Sequence, residues 1–240
     1  MYKIIVFFLY IVPILGSELK NVTIILPWKH QFQFAGYYAA KELGLYKKSG
    51  LNVTIKEYDL KRDISEDISK QRYTFGVGHS YLVLDKINKF DNLRFLAAIH
   101  QSSPIVLLTT SYQNIKTISD IKNKKIMMSP EQKYTTSITA MLYSQNLTYN
   151  DFTIVNTDFQ PLDLINATAN LMVAFSSNEP YVLKTKGIKY NIFDPKDYGY
   201  NFYSDILFTS LEVIQKDPQL VQKFYDASMQ GWEYAYHHID

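Results

Sequence analysis

The chain has 240 residues, 47% of them hydrophobic and 20% charged, with 25 basic against 23 acidic side chains and no cysteine. A near-neutral balance without a basic tract argues against nucleic acid or an anionic membrane as partner, and the missing cysteines exclude disulfides, thiolate metal sites and a lipid-bearing cysteine near the amino terminus. One large core or two small ones fit this length, so packing alone can stabilise it.

Lys3, the apolar run Ile4 to Leu15 and the small pair Gly16-Ser17 outline a secretory signal peptide over residues 1–17, too short for the roughly 20 apolar residues of a membrane span. Export is therefore expected, with an uncleaved anchor as the alternative to cleavage. Asn21 to Leu26 is β-branched and apolar enough for a buried strand, ended by Pro27, which has no N–H for a ladder. Ala35 to Lys48 has helical spacing. Between them, an aromatic loop carrying Trp28, Phe32 and Phe34 places flat rings at the carboxyl end of a strand, where open α/β sheets bind small molecules.

Leu51 to Tyr58 alternates like a strand with one exposed face, and Asp63 to Gln71 reads as a short helix. Thr74 to Val77 is a small strand, followed by a helix from Ser80 to Lys89 that Ser80 could cap. Leu93 to Ile99 and Ile105 to Thr110 are strong strands flanking His100-Gln101-Ser102-Ser103-Pro104. Ser119 is expected to cap a turn over 120–122. Strands at Lys125 to Met128, Phe152 to Asn156, Leu171 to Phe175 and Lys189 to Phe193 alternate with helices at Thr135 to Gln145, Pro161 to Thr168 and Pro180 to Lys186. A strand at Asp205 to Thr209 and a long helix from Pro218 to His237 complete the series. Recurrent strand-then-helix order predicts an α/β fold with parallel sheets covered on both faces.

Several stretches together resemble the SsuA/THI5-like (NMT1/THI5-like) family of periplasmic substrate-binding proteins. They are Trp28 with Gln33-Phe34-Ala35-Gly36-Tyr37-Tyr38, Phe75-Gly76-Val77-Gly78, Gln101-Ser102-Ser103-Pro104 and Asn178-Glu179-Pro180-Tyr181. Asp194 to Gly199, Asp205 to Thr209 and Gly231-Trp232-Glu233-Tyr234-Ala235 continue the likeness over nearly the whole chain past residue 17. The Asn-Glu-Pro and Gly-Trp-Glu-Tyr-Ala signatures look most like the branch associated with thiamin pyrimidine precursors. The resemblance implies a type II periplasmic-binding-protein fold, two lobes with mixed, mostly parallel sheets and a ligand cleft between them. Lobe 1 would comprise residues 18–104 with 204–240, and lobe 2 residues 105–203, with the chain truncated relative to relatives that continue past Asp240.

The implied function is a periplasmic solute-binding protein of an ABC importer, closing by hinge motion on an aminopyrimidine. Its partners would be that ligand and a transporter permease or sensor modules, with no nucleic acid, and the protein would be a monomer. Alternatives are a ligand-sensing periplasmic domain of a membrane signalling protein, and a thiamin pyrimidine synthase. Synthases of the family use a lysine carrying pyridoxal phosphate, a nearby histidine and a cysteine-rich motif. Here the lysine and histidine positions fall near Gly78 and Leu82, and cysteine is absent. A Schiff base needs the amine, so no enzyme activity and no cofactor are expected.

Within this frame Trp28 and Tyr37 could sandwich a heteroaromatic ring, with Phe34 nearby, at a gain on the order of 1 kcal/mol per stacked pair beyond burial. Glu179 could accept hydrogen bonds from an aminopyrimidine, with Asn178 adding a donor and an acceptor; otherwise it is a first-turn acid complementing its helix. Ser80, Ser102 and Ser103 are hydroxyls at strand ends, equally readable as turn residues. Tyr203 and Asp205 could face the cleft. His79 reads as a surface or hinge residue, and no histidine spacing suggests a metal. The three arginines, Arg62, Arg72 and Arg94, fall in no cleft loop, which favours a neutral or weakly basic ligand over a sulfonate or phosphate. Four Asn-X-Thr sequons at Asn21, Asn52, Asn146 and Asn166 would matter only in a eukaryotic secretory pathway.

Overall fold

The computed structural model describes residues 18–59, 62–128, 136–156, 160–166 and 168–239. The expected signal segment lies outside them. Among the described residues no helix is long and apolar enough to cross a membrane.

One five-stranded sheet contains β1 (Lys20–Ile25), β2 (Leu51–Lys56), β3 (Phe75–Gly78), β4 (Leu93–His100) and β10 (Ser204–Ser210), in the order β2-β1-β3-β10-β4. The other contains β5 (Ile105–Thr110), β6 (Lys125–Met127), β7 (Thr153–Val155), β8 (Leu171–Phe175) and β9 (Tyr190–Phe193), in the order β7-β6-β8-β5-β9. In the first sheet β10 is antiparallel to both its neighbours, and in the second β5 is, while the remaining pairs are parallel. Each sheet thus has four strands running one way and a single reversed strand. β5 follows β4 into the second sheet and β10 returns the chain to the first, which is the type II two-sheet arrangement.

Helices α1 (Ala35–Glu42), α2 (Leu45–Lys48), α3 (Ile64–Ser69), α4 (Tyr81–Asn88), α7 (Leu211–Lys216) and α8 (Pro218–His237) serve the first sheet; α5 (Thr136–Ser144) and α6 (Glu179–Thr185) serve the second. Strands covered on both faces bury consecutive residues. Ile24 joins the cluster under α1 and α8 with Phe75, Leu207 and Phe224, while Ile25 points to the opposite cluster with Ile68, Leu82 and Phe208. Likewise Leu107 and Val106 serve opposite faces of the second sheet, so Ile105 to Leu108 reads as an unbroken apolar run. Phe224 of α8 stacks between Tyr46 (5.3 Å) and Phe75 (3.9 Å), and the Tyr46 hydroxyl bonds Ser228 Oγ at 2.9 Å.

Three local expectations are corrected. The helix predicted from Ala35 to Lys48 breaks in two, because Gly44 adopts φ +70, a left-handed conformation that ends α1 and restarts the chain as α2. Ser80 makes no capping bond at α4. The short helix Ile118–Ile121 starts at Thr117 rather than Ser119: the Asp120 carboxylate reaches back to accept the Thr117 N–H at 2.8 Å.

Candidate functional site

The carboxyl ends of β1, β3 and β4 lie together, and because β10 runs against β3 and β4 its first residues lie there too. Asp205 occupies that corner. It is 1% exposed and holds φ +48, a left-handed conformation in which Asp is tolerated but strained. The Gln33 side-chain amide, from the loop after β1, donates to both its oxygens at 3.0 and 2.9 Å. His79 Nδ1 lies 3.6 Å from Oδ1 and His100 Nδ1 3.7 Å from Oδ2. His79 Nδ1 also lies 2.8 Å from Ser204 Oγ. Burial holds the His79 imidazole below its usual range; the Asp205 charge opposes this and His100 adds to it. Four separate segments thus gather one carboxylate, two imidazoles, an amide and a hydroxyl.

The second sheet supplies a different wall. Glu179 begins α6, and its Oε2 accepts the Phe175 N–H from the end of β8 at 2.7 Å. Burial raises its carboxyl above the ordinary range, with that hydrogen bond working the other way. Glu179 lines an open recess of about 390 Å³ together with Asn178, Tyr181, Gln160, Pro161 and Leu162. The recess falls within the roughly 300–1,000 Å³ of small-molecule pockets. The two walls touch: the Phe175 ring meets the His79 ring edge-on, centroids 6.0 Å apart at 61°.

Of the residues predicted to meet a ligand, Asp205 stands in the corner of the first sheet, and Asn178 and Glu179 line the recess. Trp28 is half-buried and stacks on Tyr58, centroids 6.3 Å apart and planes 17° from parallel, while its carbonyl accepts the Tyr58 N–H at 3.2 Å. The predicted pairing of Trp28 with Tyr37 is corrected. Tyr37 is fully enclosed where α1 docks on α8, edge-on to Trp232 at 5.5 Å. Its phenol is pushed well up, by burial first and by Tyr46 and Asp205 next, with Trp232 opposing. Phe34 is likewise wholly buried in the core beneath α1. Ser103 Oγ accepts the Ile105 N–H at 3.3 Å, a turn contact, while Ser102 is exposed and Ser80 half-buried. Tyr203 is 57% exposed beside the crossing strand.

His79 is not a surface residue: it is 9% exposed, and with His100 and Gln33 it belongs to the corner that sequence reasoning missed. Its position directly after the strand-ending Gly78 was the available signal. The three arginines are engaged elsewhere, Arg62 and Arg72 on the buried Asp67 and Arg94 on the carbonyls of Asp91 and Leu93. No cluster of metal-ligating side chains occurs among the described residues.

A family model described as NMT1/THI5 like matches residues 31–240. The riboflavin-binding protein RibY of Chloroflexus aurantiacus is 23% identical over 220 residues, covering 89% of this chain and 62% of that protein, so the chain spans under two thirds of that relative's length. Among solved structures, the periplasmic aliphatic sulphonate binding protein SsuA from Escherichia coli superposes with TM-score 0.69 at 13% identity, over 91% of this chain and 76% of that one. The desulfurization enzyme DSZB superposes with TM-score 0.64 at 13% identity, over 92% and 78%. At such identities the likeness establishes the fold, which binding proteins and an enzyme share.

Proposed function

The chain belongs to the NMT1/THI5-like family, and from that premise we propose a periplasmic solute-binding protein of an ABC importer that captures a thiamin-related aminopyrimidine. In this reading residues 18–104 with 204–240 form one lobe and 105–203 the other, hinged at the crossings before β5 and β10, and residues 1–17 direct export. The observation that carries it is the wall around Glu179. A half-buried carboxylate, already accepting one backbone N–H, keeps further lone pairs for the amino group and ring of a donor-bearing heterocycle. Trp28 offers the flat apolar face, and Asn178 a second polar contact at the rim of the recess. Tyr203 and Asp205 serve the opposite wall.

The engagement of every arginine with Asp67 or with backbone carbonyls supports an uncharged or weakly basic guest over a sulfonate. The name of the Chloroflexus relative makes a flavin the competing ligand, which also presents a flat heterocycle. Isothermal titration with hydroxymethylpyrimidine, riboflavin and taurine separates these readings. One-to-one binding of the pyrimidine supports the proposal; binding of riboflavin or taurine without it replaces the ligand.

A further inference from the structure

His79 directly follows β3 of the first sheet, yet its ring lies against Phe175, the last residue of β8 in the second. The ring also meets that of Tyr81 in α4, centroids 6.2 Å apart. Nδ1 is fixed by Ser204 Oγ at 2.8 Å, so the strand that returns the chain to the first sheet sets the ring's orientation. Phe175 presents the backbone N–H that holds Glu179. One side chain therefore lies beside Asp205 in one half and against the residue whose N–H holds Glu179 in the other. We infer that His79 is a positioning residue for closure, the ring through which the Asp205 corner seats against the Phe175–Glu179 wall. The inference rests on the two-lobed binding reading but not on which ligand is bound.

The chemistry gives closure a pH dependence. Facing the imidazole are Asp205 and Ser204 from β10, His100 from the end of β4, Tyr81 from α4 and Phe175, with Glu179 bonded behind it; Tyr37 of α1 lies within the field of Asp205. Asp205 alone favours a proton on His79, and burial with His100 outweighs it. Separating the halves exposes the ring to water and lets it return toward its ordinary value of about 6.5. The neutral form is thus favoured by the closed state, whose advantage is present above that value and is lost as pH falls. Acid opens the protein.

The chain has no cysteine, so the double substitution K47C/K184C places two dyes on exposed positions of the two halves, and energy transfer between them reports opening without any ligand. In the otherwise natural protein the closed-to-open ratio should fall several-fold between about pH 8 and about pH 5. His79→Phe, which keeps a ring against Phe175 but cannot be protonated, should stay closed across that range. His79→Asn, which keeps a polar group near Ser204 but loses the ring, should be more open throughout. A His79→Phe protein that opens with acid like the parent overturns the inference, as does a His79→Asn protein as closed as the parent at every pH. Thermal melts confirm that each variant is folded; if His79→Asn fails to fold, His79→Phe alone decides. Failure of every candidate ligand to bind would overturn the ligand assignment and leave this readout intact.

Discussion

Gln33 donates its side-chain amide to both carboxylate oxygens of Asp205 across 172 positions of sequence. The bond ties the loop after β1, where the Trp28 indole stands, to the start of the strand that returns the chain from the second sheet. Among the described residues no lysine or arginine pairs with that buried carboxylate, so the amide is its principal donor.

Replacing Gln33 by Leu should therefore cost about 2 kcal/mol, because a buried acceptor loses its donor while its charge stays. Urea denaturation measures it. Adding Asp205→Asn to Gln33→Leu should recover part of the loss, and a double-mutant cycle with no coupling would refute the pairing.

The packing of α1 on α8 rests on glycine. A Cβ at Gly231 would stand 2.2 Å from the Gly36 carbonyl oxygen and 2.7 Å from the Ala40 backbone nitrogen, both backbone atoms that cannot swing away. Gly231→Ala should destabilise by about 2 kcal/mol or more despite alanine's better helix propensity. A denaturation midpoint at or above that of the parent would contradict the tight crossing.

Glu179 gives a signed pH effect. Burial raises its carboxyl in the folded chain, so the stability it contributes is present below the unfolded value of about 4.3 and is lost as pH rises through the raised one. Glu179→Gln keeps an oxygen for the Phe175 N–H without the charge. It should be more stable than the parent near pH 7 and equal to it near pH 4, by urea midpoint. A variant less stable at neutral pH would show that the carboxylate form is the favoured one.

Trp28→Ala should weaken capture of hydroxymethylpyrimidine about tenfold, the loss of a stacking face plus some buried area, while Trp28→Phe keeps most of it. Titration calorimetry measures both. Equal affinity in parent and Trp28→Ala would move the ring seat elsewhere.

The alternation of strands and helices was legible because the strands are short apolar runs and the long helix, Pro218 to His237, is bounded by Asp217 and matched its predicted ends, whereas the division into two sheets followed from the family resemblance and not from the pattern. Boundaries failed where a single dihedral decides: nothing in the spacing of Ala35 to Lys48 distinguishes a glycine inside a helix from Gly44 at φ +70. The motifs single out Trp28, Glu179 and Asp205, of which Asp205 stands buried in the corner of the first sheet and Glu179 lines the recess. Ring burial was not legible. Phe34 and Tyr37 sit in the same motif as Gln33, and only the docking of α8 determines that the two rings turn inward while the amide reaches Asp205. The burial of His79 was not legible for the same reason, since its partners Ser204, Asp205 and Phe175 arrive from distant parts of the chain.

The most direct measurement is hydroxymethylpyrimidine titrated into the parent and into Trp28→Ala/Glu179→Gln by calorimetry, with circular dichroism confirming both are folded. The account predicts one-to-one binding at micromolar or tighter affinity by the parent and a loss of at least about a hundredfold in the double variant, tenfold from each of two contacts worth about 1.4 kcal/mol. Undiminished capture by the double variant, or no pyrimidine binding by the parent, would contradict it.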